Sequence, residues 1–154
     1  MPAVERSAGL AFLVLPDLSW IARDEVLSTE RHRELIADGH CWVAVDGHDA
    51  PVGFLSAGRL GNWLHIWELA VTLACQRRGI GRALLDSAIE AAKAQGLEAI
   101  TLTTFRHVAW NQPFYEKLGF RVLDPPPREL QRILDEEAAH GLARDERCAM
   151  TWRP

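Results

Sequence analysis

Tyrosine is nearly missing from this chain: six Trp and five Phe stand beside one phenol, Tyr115. Cysteine is scarce too. Cys41, Cys75 and Cys148 are odd in number, widely spaced and without a C-x-x-C pair. That excludes a disulfide framework or a zinc knuckle and fits a reducing cytoplasm. No apolar run is long enough to cross a bilayer; the longest near the start, Ala8 to Leu15, falls well short. It also reads poorly as a signal peptide, because Glu5 offsets Arg6 and Pro16-Asp17 follow where small residues belong. Positive charge is in deficit, with 17 basic residues against 21 acidic and a net charge of -4. The bulk charge therefore offers nothing to nucleic acid or to an anionic membrane, and favours a basic or amine partner. Internal repeats and low-complexity linkers are absent.

What is present suits one globular domain covering residues 1–154, 48% hydrophobic and 25% charged. A chain of this size buries roughly 70% of the surface that it exposes when unfolded. Leu10 to Leu15 reads as a first strand ended by Pro16. A helix over Glu30 to Asp38 follows, stopped by Gly39. Cys41 to Val45 and Val52 to Ala57 are β-rich runs joined through Asp46 to Pro51, a hairpin. After the punctuation of Gly58 to Asn62, Trp63 to Leu73 forms the longest strand. The period then becomes helical: Ile80, Leu84, Leu85, Ala88, Ile89 and Ala92 make one stripe, Arg82, Asp86, Glu90 and Lys93 the wet face, and Gly96 the stop. Ala99 to Phe105 is a strand, Asn111 to Leu118 a short helix, and Gly119 to Leu123 extended. Three prolines, Pro125 to Pro127, precede a helix through Leu130, Ile133 and Leu134 that ends near Gly141. Cys148 to Trp152 closes the chain as a strand.

The sharpest motif is Gln76-Arg77-Arg78-Gly79-Ile80-Gly81-Arg82-Ala83, set between the longest strand and the amphipathic helix. Free N–H groups in a helix's first turn converge on one spot and carry the positive end of the helix dipole, so this turn suits a phosphate-bearing ligand. Three arginines reinforce it. The alternative is a turn with solvated arginines. Two other phosphate loops fail on their defining residues. No Gly-Lys-Ser/Thr triplet exists for a Walker A loop, and Leu84 stands where a dinucleotide fingerprint needs its third glycine.

Gln76 to Gly81 resembles the Q/R-x-x-G-x-G/A acyl-CoA motif of the GCN5-related N-acetyltransferase (GNAT) family. Leu69-Ala70-Val71 before it, Leu84-Leu85 after it and Phe114-Tyr115-Glu116-Lys117-Leu118-Gly119-Phe120 further on match in order and spacing. The resemblance implies an α+β fold with a central mixed, mostly antiparallel twisted sheet flanked by helices. It implies acetyl-CoA as co-substrate, without a metal. The backbone around Leu69, Ala70 and Val71 would pair with the pantetheine arm as an added strand, and the amides of Arg78 to Ala83 would hold the pyrophosphate. Phe114 and Tyr115 would line the same co-substrate. A homodimer through the C-terminal elements is one arrangement that the family suggests.

Acetyl transfer to an amine needs the amine neutral, and an alkylammonium near pKa 10.4 costs about 4.6 kcal/mol to deprotonate at pH 7. A base would help. His65 and Glu68 on the long strand are the candidates; the alternatives are a buried structural histidine and a structural or substrate-orienting carboxylate. Tyr115 falls where the family places the general acid that protonates the leaving thiolate, the alternative being a core aromatic. Family members often carry an asparagine at the position of Val108. Here Asn111 either replaces it or only caps the helix. His107 reads as an exposed loop residue. Trp20, Trp63, Trp67 and Trp110 could form an aromatic wall for the acceptor or pack in the core, and Asp135-Glu136-Glu137 reads as a solvated face. The acceptor is a small-molecule or peptide amine. Transfer of a longer acyl chain, or a non-catalytic acyl-CoA-binding module, are the competing readings.

Overall fold

A computed structural model describes residues 1–37 and 40–154. Its elements are α1 (Pro2–Gly9), α2 (Thr29–Ala37), β1 (Cys41–Val45), β2 (Pro51–Leu60), β3 (Trp63–Val71), α3 (Ile80–Ala94), β4 (Ala99–Phe105), α4 (Gln112–Lys117), β5 (Arg121–Val122), α5 (Arg128–Ala139) and β6 (Arg147–Trp152). The strands form one mixed sheet in the order β1-β2-β3-β4-β6-β5. The β3–β4 pair is parallel; β1–β2, β4–β6 and β5–β6 are antiparallel. The expected α+β architecture, a mostly antiparallel sheet flanked by helices, is what the chain adopts.

The chain divides into two compact units. The first comprises Met1–Gly58 and Glu68–Glu90. Its core joins Val4 of α1 to Phe54 of β2 and Ala70 of β3, with Met1 and Ala8 packed at the margin. On α2, His32 is buried edge-on against Phe54 with ring centroids 5.3 Å apart, and its Nε2 lies 3.1 Å from Glu5 Oε2. The other Glu5 oxygen accepts the Leu27 N–H at 3.1 Å, which ties α1 to the segment leading into α2. Gly53, next to Phe54, faces the opposite way. A Cβ there would lie 3.1 Å from Ile80 Cγ2 and 3.2 Å from the Ala70 carbonyl oxygen. A side chain there would need these neighbours to give by a few tenths of an ångström.

The second unit comprises Arg59–Trp67 and Ala91–Pro154. β4 is buried at all but Thr103, as a central strand of β-branched and apolar residues should be. α5 sets Leu130 and Leu134 on Ala149 of β6, with Leu60, Trp63, Leu123 and Ile133 around them. Beside this apolar contact Arg147 forms a fork onto Glu137, Nε to Oε2 at 3.1 Å and Nη2 to Oε1 at 2.8 Å. Its guanidinium also sits over the Phe105 ring, 4.6 Å from the centroid.

Several sequence expectations need correction. Leu10–Leu15 is not a strand: Leu10–Val14 and Pro16–Arg23 are 3-10 helices. Local bonds from Leu15 N–H to the Phe12 carbonyl (3.0 Å) and from Leu18 N–H to the Leu15 carbonyl (3.1 Å) close this segment on itself. A short apolar run without alternation does not distinguish a strand from a helical turn. β2 continues through Gly58 to Leu60, so the turn is Gly61-Asn62 alone, and β3 ends at Val71 before a 3-10 turn over Leu73–Cys75. The stop assigned to Gly39, with Asp38 before it, lies outside the described residues. Glu137 is not on a solvated face but turned in to Arg147. The α3 stripe and its stop match the expectation: Leu84, Leu85, Ala88, Ile89 and Ala92 are buried. Leu97 N–H to the Ala92 carbonyl and Gly96 N–H to the Lys93 carbonyl, both 3.0 Å, close a Schellman turn.

Removing one partner of a mostly buried ion pair strands the other charge, at a cost of about 3 kcal/mol. Glu137→Ala should therefore lower the thermal midpoint by roughly 6–12 °C, read by circular dichroism melting against the parent chain.

Candidate functional site

In the first unit the chemistry gathers where β3 hands over to α3. Thr72 N–H donates to the Val52 carbonyl at 2.9 Å, and the Ala70 carbonyl lies toward Gly53, so both point to β2. By alternation the backbone groups of Leu69 and Val71 point to the other edge of β3. There Gln76 folds back, its Nε2 donating to the Val71 carbonyl at 3.1 Å. The turn that follows uses left-handed backbone at Arg77, φ 60°, and at Gly79, φ 83°. A Cβ on Gly79 would meet nothing within 4 Å, so glycine is required there by conformation rather than by space. Such a turn directs successive N–H groups into a concavity that suits an anion. The first bond closing onto α3 is Ala83 N–H to the Gly79 carbonyl at 3.0 Å, so the N–H groups of Ile80, Gly81 and Arg82 precede the helical ladder. Arg77, Arg78 and Arg82 are exposed around this turn, and Arg82 lies 3.7 Å from Asp86. Glu68, partly exposed, shares the side of β3 that Ala70 occupies.

In the second unit, α4 carries Phe114 and Tyr115. The Tyr115 ring is buried and held edge-on by Phe114 and Phe120, with centroids 5.2 and 5.6 Å away. Asn111 occupies the N-cap position, and its carbonyl accepts the Phe114 and Tyr115 N–H groups at 2.9 and 3.1 Å. It is the N-cap residue that the sequence indicated, but its side chain makes no capping bond. Instead Nδ2 donates to Thr104 Oγ1 at 2.8 Å, and the buried Oδ1 has no partner. Val108 is buried and His107 exposed.

His65 is only 1% exposed. Its Nδ1 lies 3.0 Å from Thr101 Oγ1, across the parallel His65↔Thr101 pair of the β3–β4 ladder, and its ring meets Trp67 edge-on at 4.4 Å. Of the four tryptophans read as a wall, Trp63 packs against the α5 cluster, while Trp20, Trp67 and Trp110 keep more than a third of their surface exposed. Sequence reasoning missed three contacts: Thr104 with Asn111, Glu5 with His32, and the Arg147–Glu137 fork. Their partners lie 7, 27 and 10 residues apart in different elements, and no spacing signals them.

The acetyltransferase (GNAT) family model matches residues 10–120, well over half of the 154 residues, and the chain belongs to that family. A relative from Bacillus subtilis (strain 168), named as the uncharacterized N-acetyltransferase YvbK, is 28% identical over 89 residues, 58% of this chain. The match spans 57% of that relative's length. Among solved structures, the PaiA N-acetyltransferase of Thermoplasma acidophilum in complex with coenzyme A superposes with a TM-score of 0.71 at 18% identity, covering 99% of this chain and 89% of its own. A putative streptothricin acetyltransferase from Bacillus anthracis str. Ames, in complex with acetyl coenzyme A, gives 0.62 at 21% identity over 79% of this chain and 67% of its own. Among the described residues no helix is long and apolar enough to cross a membrane.

Burial pushes the His65 imidazole down to about 4. The unfolded chain takes up this proton near pH 6.5 and the folded chain only near 4. The contribution is therefore complete above pH 6.5 and is lost as pH falls toward 4, to a total of about 3 kcal/mol. Thermal melts from neutral pH down to the His65 pKa should fall less steeply for His65→Gln than for the parent chain. Equal slopes would mean that the ring is solvated.

Proposed function

We propose that this chain is an N-acetyltransferase that moves the acetyl group of acetyl-CoA directly to a primary amine of a small molecule or peptide, residues 1–154 serving as one catalytic domain. The observation that carries the reading is the left-handed turn at Arg77 and Gly79, opening onto the first amides of α3. In this reading the amides of Arg78, Gly79, Ile80, Gly81, Arg82 and Ala83 bind the pyrophosphate, with the Arg77, Arg78 and Arg82 side chains supplying positive potential. The outward backbone of Leu69 and Val71 pairs with the amides of pantetheine, Ala70 keeps that strand seated on Phe54, and Gln76 fixes where the strand ends.

The nucleophile is the neutral amine. Its nitrogen attacks the thioester carbonyl, the tetrahedral intermediate collapses with loss of the CoA thiolate, and the second proton shed by the nitrogen returns to the phenolate left when Tyr115 protonates the sulfur. Of the two base candidates, burial and the bond to Thr101 favour a packing role for His65. Glu68, partly exposed, is left to hold the ammonium and to take its proton through water. Tyr115 donates its phenolic proton to the departing sulfur. Its ring, clamped between Phe114 and Phe120, keeps that donor in one orientation. Asn111 Oδ1, aimed by Thr104 and otherwise unpartnered, accepts a pantetheine N–H in place of the residue that Val108 cannot supply. A cytoplasmic setting, where acetyl-CoA is made and used, fits the three free cysteines.

Release of free thiol from acetyl-CoA, measured with a broad amine panel, tests the activity. Tight CoA binding without turnover on any amine would identify a binding module instead, and preference for longer acyl-CoA would redefine the donor. Tyr115→Phe should lower kcat about 100-fold, with acetyl-CoA affinity unchanged; an unchanged kcat would remove the acid role. Thr104→Val should raise KM for acetyl-CoA roughly fivefold through loss of one hydrogen bond's worth of positioning. Thr104→Ser should restore it.

A further inference from the structure

Past Val71 the chain leaves the sheet with little packing to hold it: Leu73 is 45% exposed, and Ala74 beside it is exposed as well. Hydrogen bonds carry the segment instead. Thr72 N–H donates to the Val52 carbonyl at 2.9 Å, and Cys75 N–H to the Thr72 carbonyl at 2.8 Å. The Leu73 amide, between them, donates to a side chain, Ser7 Oγ of α1, at 3.1 Å and 66 positions back along the chain. Ser7 reaches it from a helix that is itself fixed. Val4, three residues before, and Ala8, one after, pack on Phe54 and Ala70. Glu5 binds the Leu27 amide through one oxygen and lies 3.1 Å from His32 Nε2 through the other. Serine is a poorer helix former than alanine, and within a helix its hydroxyl ordinarily turns to solvent or to a carbonyl of its own helix. In α1 it holds the exit of β3.

We propose that Ser7 is a positioning residue for the turn that binds the diphosphate of CoA. The proposal rests on the acyl-CoA reading of that turn and adds the N-terminal helix to its machinery. Two side chains then fix the way out of β3. Gln76 holds the Val71 carbonyl from the downstream side, and Ser7 holds the Leu73 amide from α1. The 3-10 turn over Leu73–Cys75 lies between these two anchors and delivers the backbone to the left-handed residues Arg77 and Gly79. Ser7 does not act on the ligand directly. It keeps an exposed, poorly packed turn in one geometry before the ligand arrives, so that binding does not have to order it. Without the hydroxyl, the Leu73 amide turns to water and the turn is anchored on one side only. An incoming diphosphate must then restore its position, and affinity falls.

Titration calorimetry of CoA into the purified chain and into Ser7→Ala should show Kd rising about fivefold in the variant, the equivalent of one hydrogen bond. Because alanine is the better helix former, the thermal midpoint should not fall with it. Ser7→Thr keeps the hydroxyl and should keep the parent affinity. In acetyl-transfer assays Ser7→Ala should raise KM for acetyl-CoA by the same factor and leave KM for the amine where it is. A Ser7→Ala chain that binds CoA as tightly as the parent overturns the proposal. So does a loss of affinity that Ser7→Thr shares or that comes with a lower thermal midpoint, since either would mark α1 as disturbed rather than one bond as missing. A parent chain that binds no CoA removes the acyl-CoA reading itself, and this role with it.

Discussion

Gln76 Nε2 donating to the Val71 carbonyl is the bond on which the working end of the first unit depends. It holds the chain as β3 stops and lets the backbone enter the left-handed turn at Arg77 and Gly79. α3 then starts with its leading amides clear of the helical ladder. Gly53 is the other half of this constraint. Without a Cβ there, β2 runs close to Ile80 and to the Ala70 carbonyl with no neighbour displaced, and the end of β3 and the first turn of α3 lie against one strand. A left-handed conformation at Arg77, a non-glycine residue, costs about 1–2 kcal/mol. The surrounding bonds keep it in place, and in return its side chain is presented at the mouth of the turn.

The second unit is organised by buried polar contacts rather than by a turn. Thr101, Thr103 and Thr104 of β4 each hold a different partner: His65, Glu137 and Asn111. Three threonines in four residues look in sequence like ordinary β-formers. In the structure their hydroxyls satisfy an imidazole, a carboxylate and an amide that burial would otherwise penalise. The Asn111 amide is fixed in this way while its buried oxygen has no partner.

Legibility in the sequence followed the range of the interaction that decides each feature. Periodicity located α3, with its buried stripe and its stop, and the bounds of β4. Those features depend on side chains three, four or two positions apart along one element. The Gln76 to Gly81 motif was equally plain, because its glycine and arginine spacing is the turn. The strand read at Leu10 to Leu15 failed for the opposite reason. Six apolar residues in a row fit either a strand or a packed turn, and local i→i+3 bonds settled the choice. Glu137 failed likewise, since a run of three acids looks solvated until Arg147, ten residues on, folds back over it.

By itself the sequence determined the order of strands and helices from Cys41 onward, the place of the glycine-bearing turn and the single phenol next to Phe114. All of these rest on local propensity and spacing. Tertiary structure decided which hydroxyl aims Asn111, how completely His65 is enclosed, and which strand is left at the edge of the sheet. These depend on residues 7 and 36 positions apart and on strand order. Contacts made through space leave no period in the chain for a reader to follow.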